Sequence, residues 1–431
     1  MKRLLLILPL LFWLGCEEEQ EDASEPEPDN EPPTSVILSP VSHYNGSFHL
    51  NWTKNEDEDF SHYDVIRTAN QEIVHTTNDA DSTQIALINI QPDITVNFQI
   101  KVFDSAGNST NSNIEMGSSY GLIAATSYGG GYLYTVNTNG NNLKQHSLMY
   151  YDNQIIINEE PEFSSDGSKI FFGGHIDGNY DIWSVGINGE DVIRLTTSSN
   201  ADRHPKISPN GEKIGYVSND GGASDIFIMD VDGLNKQNIT NLPSNYSRIS
   251  FSSDSEKIVF VRNNEIFTIG IDGSNLVQLT NVSEMDEDDY PSFSPDGEKI
   301  LFQSYYGCGY HIMIMNSNGS SVNTLTDCSF TRPIYSPTGD DIVYDQSNGK
   351  IMLMNLASGT VIALVQPLNN TDYGVFHSSF NSDGTQIVYI NRGPSGRSIH
   401  TINIDGTNDQ SITSAFTNSE WWCMYPKFQP E

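Results

Sequence analysis

The sequence predicts an all-β protein, a small β-sandwich followed by a β-propeller, and two observations carry this prediction. A short motif that ends in an Asp-Gly or Asn-Gly turn recurs roughly every 44 residues through the larger, later part of the chain. Glycine, tyrosine and phenylalanine are abundant, with 34, 20 and 19 copies, which favours strands joined by tight turns. Hydrophobic residues make up 37% of the chain, which is enough to build a packed core.

The first residues predict a signal peptide and a lipid anchor. A basic pair at residues 2–3 precedes an apolar run at 4–14, which is too short to span a bilayer. Residues 13–16, Trp-Leu-Gly-Cys, resemble a bacterial lipobox. The resemblance implies that residues 1–15 are removed and that Cys16 becomes lipidated. An ordinary signal peptide that happens to contain a cysteine is the alternative.

Residues 16–34 are expected to form a tether that follows the lipidated cysteine. Residues 17–33 contain nine acidic residues, four prolines and no basic residue, so they repel one another and cannot build a core. An acidic run in this place resembles the export signal of surface lipoproteins in Bacteroidetes-type bacteria. We therefore expect an outer-membrane lipoprotein on the cell surface, with the periplasmic face as the alternative.

Residues 35–118 predict a β-sandwich of about seven short strands. Trp52 falls on an early strand, and a late strand ends in Asp-Ser-Ala-Gly-Asn at residues 104–108. These features resemble the fibronectin type III domain. We expect this module to be a spacer that separates the anchor from the rest of the protein.

The repeated motif predicts four-stranded antiparallel meanders, whose strands we call a to d. Dipeptides such as Asp166-Gly167 link strands a and b, and dipeptides such as Asp232-Gly233 link strands c and d, because both supply the positive φ that a tight hairpin needs. Strand c is apolar on both faces, as at residues 226–229. A strand buried on both faces lies between two other sheets, which is the environment inside a ring of radially stacked blades.

The two ends of the repeat region predict how this ring closes. Residues 120–146 supply strands b, c and d without a strand a, whereas residues 426–431 begin a further copy that stops after strand a. The last strand should therefore complete the first blade. We expect seven blades in a domain of residues 119–431, with six or eight as alternatives. The repeats resemble the WD-like repeats of TolB-like β-propellers, which implies a platform for docking other proteins.

The charge of the chain excludes several classes of partner. It carries 21 Lys and Arg against 56 Asp and Glu, for a formal net charge of −35. A nucleic-acid binder needs a basic surface that displaces counterions, so we expect no nucleic-acid partner. A polybasic membrane anchor is excluded for the same reason, which leaves the lipid as the only membrane contact.

Three patterns bear on catalysis or metal binding. A G-x-S-x-G match at residues 117–121 lies between two β modules rather than in a strand-to-helix turn, so we expect it to be a coincidence. His204 and His377 fall in blades that are far apart on the ring. The three aspartates within residues 286–289 are either a calcium site or, as we expect, a solvated acidic loop. The sequence thus predicts no catalytic residue, no metal and no cofactor.

The register of the repeats predicts a ring of side chains at the mouth of the central channel. Each repeat has an aromatic residue or an isoleucine in strand a, such as Phe163 or Ile207, which we call its anchor. The position three residues before this anchor should lie at the channel mouth, on the face that carries the b–c and d–a loops. The residues at this position are Glu160, His204, Arg248, Tyr290, Arg332, His377 and Tyr425. Trp421 and Trp422 are expected on the same face. Aromatic clefts with a few polar groups are typical binding sites. The alternative is that these residues pair with loop acids and cap the channel.

Cys308 and Cys328 fall in two loops of one repeat, on the same expected face. An exported protein meets an oxidising compartment, so we expect a disulfide between them, with unpaired thiols as the alternative. Together these features predict a monomeric, non-enzymatic envelope lipoprotein that binds a protein or a glycan through this face. A polysaccharide lyase or hydrolase acting on an anionic glycan, and a purely structural envelope component, are the alternatives.

Overall fold

The described part of the chain contains β-strands and no helix. The computed structural model describes residues 30–39, 41–44, 47–87, 95–118, 121–127, 131–141, 143–150, 153–157, 159–176, 178–187, 189–219, 223–241, 244, 246–281, 286–328, 330–346, 348–366, 375–393, 396–413 and 423–429. Within these ranges there is accordingly no helix that could cross a membrane. The signal peptide, Cys16 and most of the tether lie outside the described residues and stay predictions.

Seven strands precede the repeats. They are β1 (Ser42–Tyr44), β2 (Ser47–Asn51), β3 (Phe60–Arg67), β4 (Glu72–Thr77), β5 (Gln84–Leu87), β6 (Thr95–Asp104) and β7 (Ser109–Ser118). One sheet has the order β1-β2-β5 and the other the order β4-β3-β6-β7. The chain forms two compact units, of which the first includes residues 52–83 and 97–115 and the second includes 40–51, 84–96 and 116–431.

The repeat region continues with thirty-one strands. The first ten are β8 (Leu122–Ser127), β9 (Leu133–Asn137), β10 (Lys144–His146), β11 (Met149–Tyr150), β12 (Asn153–Gln154), β13 (Ile156–Ile157), β14 (Glu162–Phe163), β15 (Lys169–Ile176), β16 (Asn179–Gly186) and β17 (Ile193–Arg194). The next eight are β18 (Ala201–Ile207), β19 (Lys213–Asn219), β20 (Ser224–Asp230), β21 (Gln237–Asn238), β22 (Tyr246–Phe251), β23 (Lys257–Arg262), β24 (Glu265–Gly270) and β25 (Val277–Gln278). The remaining strands are β26 (Glu287–Phe293), β27 (Lys299–Tyr306), β28 (Gly309–Asn316), β29 (Asn323–Thr324), β30 (Phe330–Tyr335), β31 (Asp341–Gln346), β32 (Lys350–Asn355), β33 (Val361–Val365), β34 (Val375–Phe380), β35 (Gln386–Gly393), β36 (Gly396–Asn403), β37 (Gln410–Ser411) and β38 (Cys423–Phe428).

These strands form meanders, as the repeats predict. In the residues that the structure describes, blade 1 has the order β10-β9-β8-β38, and blade 2 contains β13 to β17. Blades 3 to 7 are β18–β21, β22–β25, β26–β29, β30–β33 and β34–β37, each with its four strands in chain order. A separate hairpin pairs β11 with β12. Strand β38 pairs antiparallel with β8, so the predicted closure of the ring by the last strand is confirmed.

The motif that identifies the repeats is a hydrogen-bonded turn. In blade 5 the Ser294 hydroxyl donates to Asp296 over 2.5 Å, and the Lys299 N–H donates back to Ser294 over 2.9 Å. The Glu298 N–H donates to the same Asp296 carboxylate over 2.9 Å. These bonds, first that from Ser294, hold the pKa of Asp296 below its ordinary value. Many of the chain's acids therefore serve as turn acceptors as well as charges.

The hydrophobic core lies between neighbouring blades. Strand c of blade 3 shows this: Met229 packs with Phe171 and Ile182 of blade 2, while Ile226 packs with Phe260 of blade 4. The prediction that strand c is buried on both faces is confirmed. Because the apolar faces of the blades are buried against one another, the inner edges of the a strands line the central channel.

Candidate functional site

A bulge in strand a of six blades aims one side chain into the channel. The strand register breaks between Arg203 and Lys206 in blade 3, and at the equivalent place in blades 4 to 7 and blade 1. Within each break one residue has a left-handed backbone: His204 (φ 54°), Arg248 (50°), Tyr290 (53°), Arg332 (55°), His377 (59°) and Tyr425 (54°). Bulges of this kind redirect a side chain at the cost of backbone strain.

All seven residues predicted from the register line one cavity of about 760 Å³ in the channel. Glu160 completes the set from blade 2, where strand a is interrupted between β13 and β14. Trp421 and Trp422 lie outside the described residues, so their expected place on this face is still a prediction. The volume falls in the range of sites that hold small ligands or one end of a larger one.

Buried polar side chains of the preceding blade hold three of the bulges in place. The His204 N–H donates to Glu159 over 2.8 Å, the His377 N–H to Asp345 over 2.9 Å, and the Arg332 N–H to Gln303 over 3.3 Å. Glu159 is only 5% exposed, and its carboxylate occupies space that a Cβ atom on Gly173 would need. Sequence reasoning missed these residues because their partners come from a neighbouring repeat.

An ion cluster fills the side of the channel formed by blades 1 to 3. Lys206 pairs with Glu160 at 3.2 Å and also with Glu162, while Lys427 pairs with Glu162 at 2.9 Å and with Glu160 at 3.6 Å. Burial opposes ionisation of Glu160, but Lys206 and Lys427 outweigh it and hold the pKa below its ordinary value. Likewise, Glu160 and Glu162 overcome the burial of Lys206 and raise its pKa.

The two lysines and Glu162 were not predicted, although the same register contains them. They stand one residue before the anchor, two positions beyond the predicted ring. The alternative expects ring residues to pair with loop acids, whereas Glu160 pairs with lysines of the channel wall.

The opposite side of the channel, formed by blades 4 to 6, carries two guanidinium groups on one aromatic ring. The Cζ atom of Arg248 lies 4.3 Å from the centre of the Tyr290 ring, and that of Arg332 lies 5.5 Å from it. Among the described residues, no carboxylate lies within ion-pair distance of either arginine, and Arg248 has no hydrogen-bond partner. Cation–π contact of this kind favours the charged groups without neutralising them.

Arg332 also joins a cluster with His377 and Tyr425. Its Nη1 atom lies 2.6 Å from Nδ1 of His377, and its Cζ atom lies 5.4 Å from the centre of the Tyr425 ring. The His377 and Tyr425 rings meet edge to face, with their centres 4.4 Å apart. Burial and then Arg332 lower the pKa of His377 to about 3, so this imidazole is neutral at physiological pH.

Two buried acids stand behind these arginines. Burial raises the pKa of Asp345 to about 6, against the hydrogen bonds that it accepts from His377 and Ser378. Burial also raises the pKa of Asp289, which accepts the Tyr290 N–H over 2.8 Å. In the described part of the chain neither acid lies within ion-pair distance of Arg248 or Arg332, so neither neutralises these guanidinium groups.

The expectation of a solvated acidic loop at residues 286–289 is wrong. Asp288 and Asp289 belong to strand β26, and Asp288 is only 2% exposed. Its backbone N–H donates to the Asn264 carbonyl of the preceding blade, and burial raises the pKa of its carboxyl. No group of three or more metal-ligating side chains occurs within the described ranges. The G-x-S-x-G match at 117–121 includes residues outside those ranges.

Cys308 and Cys328, the pair expected to be bridged, form a disulfide with their Cα atoms 5.8 Å apart. It joins the β27–β28 turn of blade 5 to the segment that leads into strand a of blade 6, four residues before Arg332. Tyr306 stacks on His311 beside the bridge, with ring centres 4.0 Å apart. The disulfide therefore restrains the segment that carries one of the two guanidinium groups.

Solved structures with a similar fold come from proteins of different activity. TolB from Acinetobacter baumannii is 17% identical, with 79% of this chain and 82% of that chain covered and a TM-score of 0.46. An oligogalacturonate lyase from Vibrio parahaemolyticus is 16% identical, with 69% and 85% covered and a TM-score of 0.50. A puromycin-hydrolyzing peptidase from Mycobacterium tuberculosis is 13% identical, with 77% and 53% covered and a TM-score of 0.55. At such identities the similarity shows the fold alone.

The family is shown by the repeats themselves. No curated protein matches the chain. The model of the TolB beta propeller domain, in contrast, matches residues 76–287 and 204–425, which together span most of the sequence. These matches reach every blade described above and include all seven predicted residues of the channel mouth. The chain therefore belongs to the TolB beta propeller domain family.

Proposed function

We propose that this protein is a non-enzymatic binding protein of the cell envelope, anchored through Cys16, whose channel mouth captures a protein or glycan partner. The observation that carries the proposal is Arg248. Its half-buried guanidinium lines the cavity, contacts the Tyr290 ring and has no hydrogen-bond partner among the described residues. An arginine held by backbone strain without a partner is arranged for a partner from outside.

The rest of the mouth supports recognition. Arg332 adds a second guanidinium on the same ring, and Tyr425 and the neutral His377 add surfaces that a ligand contacts without charge repulsion. The lysines on the other side are neutralised by Glu160 and Glu162, so Arg248 and Arg332 are the arginine or lysine side chains left for a ligand among the described residues of the cavity. The envelope location rests on the signal peptide, the lipobox-like segment and the acidic tether.

The test compares the wild-type protein with the double variant R248A/R332A in a glycan array and in a pull-down from the native envelope. We expect the double variant to lose the wild-type partner while it keeps its melting temperature. Arg67 provides the matched control, because it pairs with Glu72 in strands β3 and β4 and does not line the cavity. Unchanged capture by the double variant would overturn the proposal.

Protease treatment of intact cells tests the expected location separately. A surface lipoprotein is degraded under these conditions, and a C16A variant is released from the membrane fraction. A protein that resists protease until the outer membrane is opened would instead face the periplasm.

A lyase or hydrolase acting on an anionic glycan is the second candidate, and the cluster of Arg332, His377 and Tyr425 favours it. The Tyr425 phenol can donate a proton and the Arg332 guanidinium can hold the carboxylate of a uronic acid, while the lowered pKa of His377 leaves its imidazole a weak base. Incubation with polyuronates distinguishes the reactions. A lyase produces an unsaturated, ultraviolet-absorbing end, a hydrolase produces reducing ends alone, and a binding protein produces neither. Loss of either product in H377Q would assign the activity to this cluster.

A further inference from the structure

We propose that the channel mouth selects a single carboxylate at the end of an otherwise uncharged ligand, and that it discriminates against polyanions. Arg248 and Arg332 hold the carboxylate beside Tyr290, and the neutral wall of blades 6, 7 and 1 receives the rest of the ligand. This inference rests on the proposed function, because it names the chemistry that the same site takes. It applies equally to an acidic sugar and to the carboxyl end of a peptide.

The cradle for the anion is defined by three side chains. Both guanidinium groups contact the same Tyr290 ring, at 4.3 Å and 5.5 Å, and both line the same cavity. Guanidinium groups bind planar carboxylates through paired N–H donors, and partial burial strengthens such bonds relative to water. Since Arg248 has no hydrogen-bond partner in the described part of the chain, a bound carboxylate displaces no protein acceptor there.

The ion cluster on the other side of the channel does not compete for the anion. Lys206 and Lys427 each contact both Glu160 and Glu162, so two positive and two negative charges balance within the cluster. A carboxylate ligand could reach these lysines only by displacing a glutamate that is already paired. The anion is therefore directed to blades 4 to 6.

Two buried acids beside the cradle disfavour further negative charge. Asp289 and Asp345 are bonded to the Tyr290 and His377 N–H groups, and neither forms an ion pair within the described part of the chain. The whole chain carries a formal charge of −35. A ligand whose neighbouring units are also anionic would place those charges against these acids and against the acidic surface.

The neutral side of the cavity suits a ligand body without charge. Tyr425, His377, Pro333 and Ile334 line it, and the pKa of about 3 keeps the His377 ring uncharged. Tyrosine, proline and isoleucine favour contact with C–H surfaces, such as the face of a sugar ring or an aliphatic side chain. Within a volume of about 760 Å³, one terminal unit can enter while the remainder extends outward.

The test uses matched probes that differ only in the carboxylate. Titration calorimetry or ligand-observed NMR compares galacturonic acid with its methyl ester, and N-acetyl-dialanine with its C-terminal amide. We expect the free acid of at least one pair to bind about tenfold or more tightly than its blocked form. R248A and R332A should each reduce this affinity by a similar factor, while R67A leaves it unchanged. The pair that binds identifies the source as sugar or peptide.

Trigalacturonate tests the exclusion of polyanions. We expect it to bind no more tightly than galacturonic acid or the N-acetyl-dialanine carboxylate at the same low ionic strength. Affinity that rises with the number of carboxylates would overturn the inference, and so would equal binding of free and blocked probes or no binding of any free carboxylate. If the inference fails but R248A/R332A still loses its envelope partner, the proposed function stands. If the double variant retains that partner, the proposed function itself fails.

Discussion

The Nζ atom of Lys427 lies 2.9 Å from Oε1 of Glu162, and this contact joins two residues that are 265 positions apart in the chain. Lys427 belongs to β38, the strand that closes the ring, and Glu162 belongs to β14 of the next blade. Their side chains are 23% and 15% exposed, so the pair is largely withdrawn from solvent. The cluster thus links the closing strand to its neighbour across the channel wall as well as through backbone bonds.

Replacing Lys427 by Met tests how much this link stabilises the closed ring. The variant keeps the aliphatic stem but leaves Glu160 and Glu162 to share Lys206 alone. We expect the free energy of unfolding in urea to fall by about 1–3 kcal/mol. Lys54→Met is the control, because its pair with Asp81 is exposed and should contribute little to stability. Equal effects of the two substitutions would show that the cluster does not stabilise the ring.

Replacing Arg248 by Gly and by Ala measures the strain of the bulge. Both variants lose the guanidinium, but only glycine adopts the φ of 50° without steric cost. We expect R248G to unfold with a free energy about 1 kcal/mol higher than that of R248A. Ser250 lies in the same strand with an ordinary backbone, so there the glycine variant S250G should be less stable than S250A. The same order at both sites would contradict the assignment of strain to the bulge.

Asp345 predicts a dependence of stability on pH. Its pKa is about 6 in the folded protein against an ordinary value of 3.8, so the folded state holds this proton more tightly than the unfolded state. The stability that this provides is present in full below pH 3.8 and is lost as the pH rises through about 6. The unfolding free energy of the wild-type protein relative to D345N should therefore fall by up to about 3 kcal/mol between about pH 4 and about pH 7.

Asp296 is the control for this titration, because its pKa is lowered, with the hydrogen bond from Ser294 as the first cause. Its contribution is lost only as the pH falls below the ordinary range of an aspartate. The stability difference between the wild-type protein and D296N should therefore be constant over the same pH interval. A constant difference for D345N as well would refute the burial of an ionisable group there.

The disulfide between Cys308 and Cys328 predicts a loss of stability on reduction. It closes a loop with a sequence separation of 20, for which the chain-entropy model gives about 3 kcal/mol. We expect the free energy of unfolding of C308S/C328S to be lower by this amount and to be insensitive to reductant. Weaker binding at the mouth should accompany the change, because the bridge restrains the segment before Arg332. A wild-type protein whose unfolding does not respond to reductant would lack the bond.

The residues of the channel mouth could be predicted because equivalent positions of the repeats occupy equivalent places in their blades. Once Phe163, Ile207 and their equivalents are aligned, a residue three positions earlier must occupy one corner of the blade, whatever its chemistry. Turn dipeptides and the apolar strand c are likewise local properties. The closing role of β38 followed from counting the strands that the two ends of the repeat region lack.

Contacts between repeats were not predictable in this way. Glu159 can accept the His204 N–H because Gly173 has no Cβ that would occupy the same space. The sequence of one repeat does not indicate this requirement. The burial of Asp288 depends in a similar way on the neighbouring blade, which turned an apparent acidic loop into a strand. Trp421, Trp422 and Cys16 lie outside the described residues, and their roles remain predictions.

Strand β38 is the last strand to be synthesised, and its pairing with β8 completes the ring and the channel mouth at the same time. Blades 3 to 7 consist of consecutive strands, so each can form as soon as its own residues emerge during synthesis. Blade 1 must wait for its fourth strand, and until then Glu162 lacks Lys427 and Arg332 lacks Tyr425. A chain interrupted before this strand has an open sheet edge, which can pair with other chains, and an incomplete channel mouth. Only a chain translated through β38 therefore has all the described residues of the channel mouth in place.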